Sequence, residues 1–229
     1  MFFSFLICLF WASASGLNFL QRAAKSSTLD LKKKSLSELV CGTGKNGNQA
    51  TSSQRKEIRQ IVQELKKLNP TRNPTSSALL TTQSSAWRLS YTDFDPPAPS
   101  SGRLGPFTGD VYQYLDPQGG RIKNLLRIKL PFKSEVFGGL IARQSVLTGQ
   151  TWKIDFDYVT NGINIIDGRV RLGGKRKYFE SNECRLWKHC YLDEDLRILE
   201  ARKEEANEDD AFIFITNRVT DIPLPVEDI

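Results

Sequence analysis

Between residues 85 and 218 apolar and polar side chains alternate in one stretch after another, with the period of strands that bury a single face. In 86–92, Trp87, Leu89 and Tyr91 fall on one face and Arg88, Ser90 and Thr92 on the other. The cleanest alternation, in 151–159, sets Trp152, Ile154, Phe156 and Tyr158 opposite Lys153, Asp155 and Asp157. Further strand-like stretches are predicted at 109–116, 121–130, 140–147, 163–166, 170–172, 178–179, 184–192, 196–201 and 211–218. Turn signals separate them, among them Asp116-Pro117-Gln118-Gly119-Gly120 and Asn161-Gly162, and such short reversals imply antiparallel neighbours. Closure of the series on itself removes exposed edges, so the expected fold is all-β, an antiparallel up-and-down barrel over 85–218.

Ahead of the barrel, Ile58, Ile61, Val62, Leu65 and Leu68 recur at helical spacing and predict one amphipathic N-terminal helix over 53–68. Thr51 and Gln54 have the spacing of a capping box at its start, and Asn69-Pro70 stops it. The helix and its connection occupy 51–84, with the apolar step Ala78-Leu79-Leu80 expected to cross one end of the barrel; 219–229 reads as a C-terminal tail.

The first fifty residues follow another pattern. Met1 to Trp11 is apolar but too short to span a membrane, and Ala12-Ser13-Ala14 after it resembles a signal-peptidase site, so 1–14 reads as a signal peptide. Residues 15–50 are expected to be a transit-like segment and linker, with Arg22, Lys25 and Lys32-Lys33-Lys34 among hydroxyl residues and a Gly/Asn-rich end. Of the formal charge of +6, these fifty residues carry +4, six Lys/Arg against two Asp/Glu. The remainder is close to neutral, which argues against nucleic acid as a partner, because phosphate binding needs a basic face that survives maturation. Four scattered cysteines do not make a disulfide framework; on one strand Cys184 and Cys190 would stand about 20 Å apart.

Little in the chain suggests catalysis. The only histidine, His189, alternates with Trp187 and Tyr191 on a strand, and no serine elbow or zinc spacing is present. Gly42, Gly44 and Lys45 do not form a phosphate loop. No catalytic residue, metal ligand or cofactor is therefore assigned. The apolar face formed by Trp87, Leu89, Tyr91, Trp152, Ile154, Phe156, Tyr158, Phe212 and Phe214 is instead a candidate ligand cavity, large enough either to fill a small barrel or to line a site for one lipid. Trp87, Trp152 and Phe156 meeting across the axis would favour a filled barrel that acts as a docking scaffold. Arg169, Arg171, Lys175, Arg176 and Lys177 crowd around Gly173-Gly174 and read as a basic hairpin suited to anionic head groups.

Two signatures carry a resemblance: Ala86-Trp87-Arg88-Leu89-Ser90-Tyr91-Thr92, and Trp187 to Ile198, W-K-H-C-Y-L-D-E-D-L-R-I. With the helix ending Leu68-Asn69-Pro70, the stretch G-D-V-Y-Q-Y-L-D at 109–116, Asn124, and a closing F-I-F-I-T-N-R, their order resembles the plastid lipid-associated proteins, also called fibrillins or plastoglobulins, which are lipocalin-like. Departures occur at Ser85, Cys190 and Glu200-Ala201. The resemblance implies a non-enzymatic protein of plastoglobule or thylakoid surfaces that binds or sequesters acyl lipids, quinones or carotenoids. It suits a bipartite signal and transit leader directing the chain to a plastid, with secretion as the alternative. In lipocalin-like proteins a Trp and an Arg close the barrel; here Trp87 pairs with Arg197 or Arg218, and Asp193 fixes the turn after Leu192.

Overall fold

The computed structural model describes residues 26–81, 85–95, 98–116, 120–165, 170–179 and 183–220. The signal peptide with its cleavage site, the Asp116–Gly120 turn at 117–119, and the tail beyond 220 lie outside the described residues.

Eight strands close into an antiparallel barrel. They are β1 (Ser85–Thr92), β4 (Asp110–Asp116), β5 (Arg121–Leu130), β6 (Ser134–Val146), β7 (Thr151–Ile165), β9 (Cys184–Leu192), β10 (Leu196–Arg202) and β11 (Phe212–Val219). The order β6-β5-β4-β1-β11-β10-β9-β7 is completed by pairing of β7 with β6. A two-stranded ribbon, β2 (Arg103–Leu104) with β3 (Phe107–Thr108), interrupts the connection from β1 to β4. Strand β8 (Val170–Tyr178) is a ninth member of the sheet, paired to the outer half of β7 at Tyr158–Ile165, while β9 takes the inner half at Thr151–Asp155.

The structure differs from the sequence expectation along β6 to β8. Asn161-Gly162 makes no turn: β7 runs through it, with a register shift between Thr160 and Gly162. A Cβ on Gly162 would stand 2.6 Å from both the Phe137 ring and the Leu172 carbonyl, so this glycine permits close strand crossing instead of reversal. Its cross-strand partner Gly173 lies inside β8, and the basic residues expected on a hairpin are strung along one strand.

Helix α2 (Ser52–Leu68) begins with a reciprocal capping box: the Gln54 amide N–H donates to Thr51 Oγ1 at 3.2 Å and the Thr51 N–H to Gln54 Oε1 at 2.9 Å. Ile58, Ile61, Val62 and Leu65 pack on Tyr91, Tyr191, Leu196, Ile198, Ile213 and Ile215, on the outer face of the barrel. Strands β1, β9, β10 and β11 are thereby covered on both faces beneath the helix, with Tyr91, Tyr191, Ile198 and Ile215 buried on the outer side and Trp87, Trp187, Leu192 and Leu199 on the inner.

The segment expected to be a linker also belongs to the fold. Residues 26–41 form a helix, α1, which buries Leu36 and Val40 in the same cluster as α2. Lys33 of α1 contacts Asp193 at 2.6 Å, and Lys32 contacts Glu64 at 2.5 Å. Beyond α1, Gly47 (φ 82°) closes on the Tyr91 ring, where a Cβ would stand 2.6 Å away. A lysine-rich run among serines suits a transit peptide and a solvated helix face equally, so composition did not distinguish them.

Candidate ligand cavity

The barrel is filled at one end and hollow at the other. At the filled end Trp87, Leu115, Ile122, Trp152, Ile154, Leu192 and Leu199 form a single cluster, sealed by Leu80 of the short helix α3 (Ala78–Thr81). Trp87 Nε1–H donates to Ser85 Oγ at 3.0 Å, satisfying the indole in an otherwise apolar setting. The Arg197 guanidinium lies 5.0 Å over the Trp87 ring and that of Arg218 lies 5.9 Å away. Arg197 is completely buried and donates through Nη2 to Gln113 Oε1; its Nε and Nη1 have no hydrogen-bond partner among the described residues. Burial pushes its pKa down to about 9.

Above this floor a cavity of about 510 Å³ opens toward the β1–β2, β8–β9 and β10–β11 connections. Leu89, Val111, Leu140, Phe156, Val159, Phe212 and Phe214 form its wall, and Phe94, Phe179, Glu183, Arg185, Arg202 and Asp210 its rim. Phe94 and Phe212 meet edge to face at 4.8 Å, and Arg185 stands 5.6 Å over Phe156. The volume lies within the roughly 300–1,000 Å³ of small-molecule sites.

Five of the nine residues assigned to a cavity from sequence line it: Trp87, Leu89, Phe156, Phe212 and Phe214. Trp152 and Ile154 face inward but are consumed by the packed floor. Tyr91 and Tyr158 are on the opposite face, and each correction has the same cause. A register shift between Leu89 and Tyr91 reverses the alternation of β1, so Tyr91 packs beneath α2. A second shift, with Ile141 opposite Tyr158 and Ala142 opposite Phe156, reverses β7; Tyr158 turns outward to Tyr178 and Arg176 while Val159 takes the inward position.

Strand β9 has a third such shift, at Cys190, which separates His189 from Tyr191. His189 is buried, edge-on to Trp152 at 4.5 Å, and its Nδ1–H donates to the Gln150 carbonyl at 3.2 Å. Burial, with the Arg197 charge adding to it, pushes its pKa down to about 3, so the ring is neutral. Asp193 Oδ1 accepts the N–H groups of Asp195 and Leu196 at 2.9 and 2.8 Å, within the turn between β9 and β10.

Of the basic residues, Lys175, Arg176 and Lys177 are exposed on β8, Arg171 is in the same strand, and Arg169 lies outside the described residues. At the same end of the barrel as the mouth, the reversal between β5 and β6 presents Phe132, 94% exposed, beside Lys133. The amides of Gln113 and Asn124, both lining the cavity, were not assigned from sequence. Their signal was present: each occupies an inward position between apolar residues, Val111 and Leu115 in one strand, Ile122 and Leu126 in the next.

The profile of the PAP_fibrillin family matches residues 30–207, from within α1 to beyond β10. The chain belongs to the PAP_fibrillin family. A light-induced chloroplastic protein of Solanum tuberosum is 30% identical over 132 residues, 56% of this chain and 36% of that protein. A chromoplast-specific carotenoid-associated protein of an Oncidium hybrid cultivar is 32% identical over 109 residues, 46% of this chain and 33% of its own length. The fibrillin chain thus matches about a third of the length of these relatives. Among solved structures, a streptavidin-like protein from Bacteroides eggerthii aligns at a TM-score of 0.36 and 13% identity, over 59% of this chain and 80% of that one.

Proposed function

We propose that this fibrillin is a non-catalytic plastid protein that holds one apolar, chain-like lipid in the open half of its barrel, at a plastoglobule or thylakoid surface. The observation that carries the reading is the 510 Å³ cavity above a filled floor, walled by aliphatic and phenyl side chains. Each methylene moved from water into such a wall gains about 0.8 kcal/mol, so ten of them supply about 8 kcal/mol without any catalytic group. The plastid address rests on relatives named chloroplastic and chromoplastic, and the class of ligand on the relative named carotenoid-associated. Contact with a lipid surface rests on the exposed Lys175, Arg176 and Lys177 of β8 and on Phe132 at the mouth end of the barrel.

Native mass spectrometry of the chain after incubation with plastid lipids, followed by extraction, tests the reading. One acyl lipid, quinone or carotenoid per chain is the expected result. A folded protein that stays empty with all three classes overturns it and favours a docking scaffold, to which the packed floor of Trp87 and Trp152 would then be central.

A further inference from the structure

Away from its charged rim the cavity is walled by apolar side chains, and the amides of Gln113 and Asn124, above the packed floor, are arranged in a single sense. Gln113 of β4 and Asn124 of β5 are directly opposite one another. Arg197 donates to Gln113 Oε1, and Gln113 Nε2 donates to Asn124 Oδ1 at 2.8 Å. Both amide oxygens are therefore occupied, and the donor end of the relay emerges at the Asn124 NH₂ group. That side chain is only partly buried, lines the cavity, and has no other hydrogen bond among the described residues.

The relay begins at a cation without a counter-ion. Among the described residues no carboxylate pairs with Arg197, whose Nε and Nη1 are unpartnered and whose other neighbours are the Trp87 face and the neutral His189. A buried guanidinium in this state is costly, and hydrogen bonds in series transmit its polarisation toward the cavity. Gln113 and Asn124 thus present donor character, backed by positive charge, at the bottom of an apolar shaft.

Resting on the cavity reading above, we propose that the ligand is a long-chain carboxylic acid, its carboxylate accepting from Asn124 at the floor and its chain extending along Leu89, Phe156 and Phe214 toward the mouth. A hydrocarbon would leave the Asn124 donor desolvated and unpaired, whereas a carboxylate satisfies it and neutralises the field of Arg197.

The test is a fluorescence titration of the whole chain with cis-parinaric acid and, separately, its methyl ester, which has the same chain without the charge. The acid is expected to bind about tenfold or more tighter than the ester, as befits a hydrogen bond to a charged acceptor. Asn124→Leu is expected to weaken the acid by about tenfold and the ester by less than twofold. Asn124→Asp, of nearly the same size, should weaken the acid further while sparing the ester. Equal affinity of acid and ester for the unsubstituted protein overturns the carboxylate assignment and leaves the cavity reading standing. Binding of neither also overturns the carboxylate assignment, while the cavity reading falls only if the protein stays empty with quinones and carotenoids as well; the comparison of acid with ester needs no substituted protein to fold.

Discussion

Asp193 shows how one side chain can tie three elements together. Its Oδ1 holds the β9–β10 turn, while Oδ2 accepts from the Tyr191 hydroxyl at 2.7 Å and from Lys33 of α1 at 2.6 Å. Burial by itself would raise the carboxyl, but Lys33, Tyr191 and the two backbone donors outweigh it and hold the pKa below its ordinary value of 3.8. A depressed folded value means that the unfolded chain takes up the proton first. The stabilisation is therefore complete above 3.8 and is lost as the pH falls through the lower, folded value. Asp193→Asn keeps an acceptor for the turn and removes the charge that meets Lys33, so it should cost about 1–3 kcal/mol at neutral pH. Urea unfolding of both proteins across the acid range checks this: the gap between them should close as Asp193 is protonated. A gap that stays constant in acid would assign the loss to the turn and not to the charge. The role of Asp193 in its turn was legible from the sequence, because a local Asx-type bond needs only near neighbours. Its partner Lys33 was not, since a contact spanning 160 positions leaves no local pattern.

At the scale of elements, alternation located most strands and helix α2, but it misplaced side chains wherever a bulge shifted the phase. Ser90, Asp157 and Cys190 each add one residue to a ladder, and beyond each the inward and outward faces exchange. Period-2 reading has no signal for such an insertion, which explains why Tyr91 and Tyr158 were placed inside. Helix α1 was overlooked because its buried face is brief and its charges dominate the composition. Leu36 and Val40 together contribute about 3–6 kcal/mol of apolar burial, a large part of the 5–15 kcal/mol typical of a domain. Removal of residues 1–44 should accordingly leave a barrel with a markedly lower thermal midpoint, and Leu36→Ala in the whole chain should cost about 2–5 kcal/mol. N-terminal sequencing of the protein purified from its native source should then find its start ahead of α1; a start near residue 50 would remove α1 from the working fold. Strand β8 makes a separate prediction. Reversing Lys175, Arg176 and Lys177 to glutamate should weaken co-sedimentation with anionic vesicles by roughly fivefold per charge, and equal binding would show that β8 is merely solvated.

For the whole molecule, the division of the barrel into a packed half and an open half separates stability from binding. The floor under Trp87, together with the α1–α2 layer, holds the strands whether or not the cavity is occupied, so a ligand adds its binding energy to a fold that is already closed. One site filled at a hundred times its dissociation constant stabilises by about 2.7 kcal/mol. For a chain of this size that corresponds to a rise of about 5–10 °C in thermal midpoint. Val159→Trp provides the control, because Val159 owes its inward position to the bulge in β7 and faces open space. An indole there would project across the cavity and obstruct the path of a chain-like ligand while leaving the floor cluster intact. The substituted protein should melt near the unliganded parent and gain nothing from added lipid, whereas the parent should gain the full shift. If both proteins are stabilised alike, the lipid acts on the outer surface, through β8 and Phe132, and the open half of the barrel is not the site. If only the parent responds, the energy enters through the cavity. The shift should then saturate at one lipid per chain, a stoichiometry that adsorption to a surface does not impose.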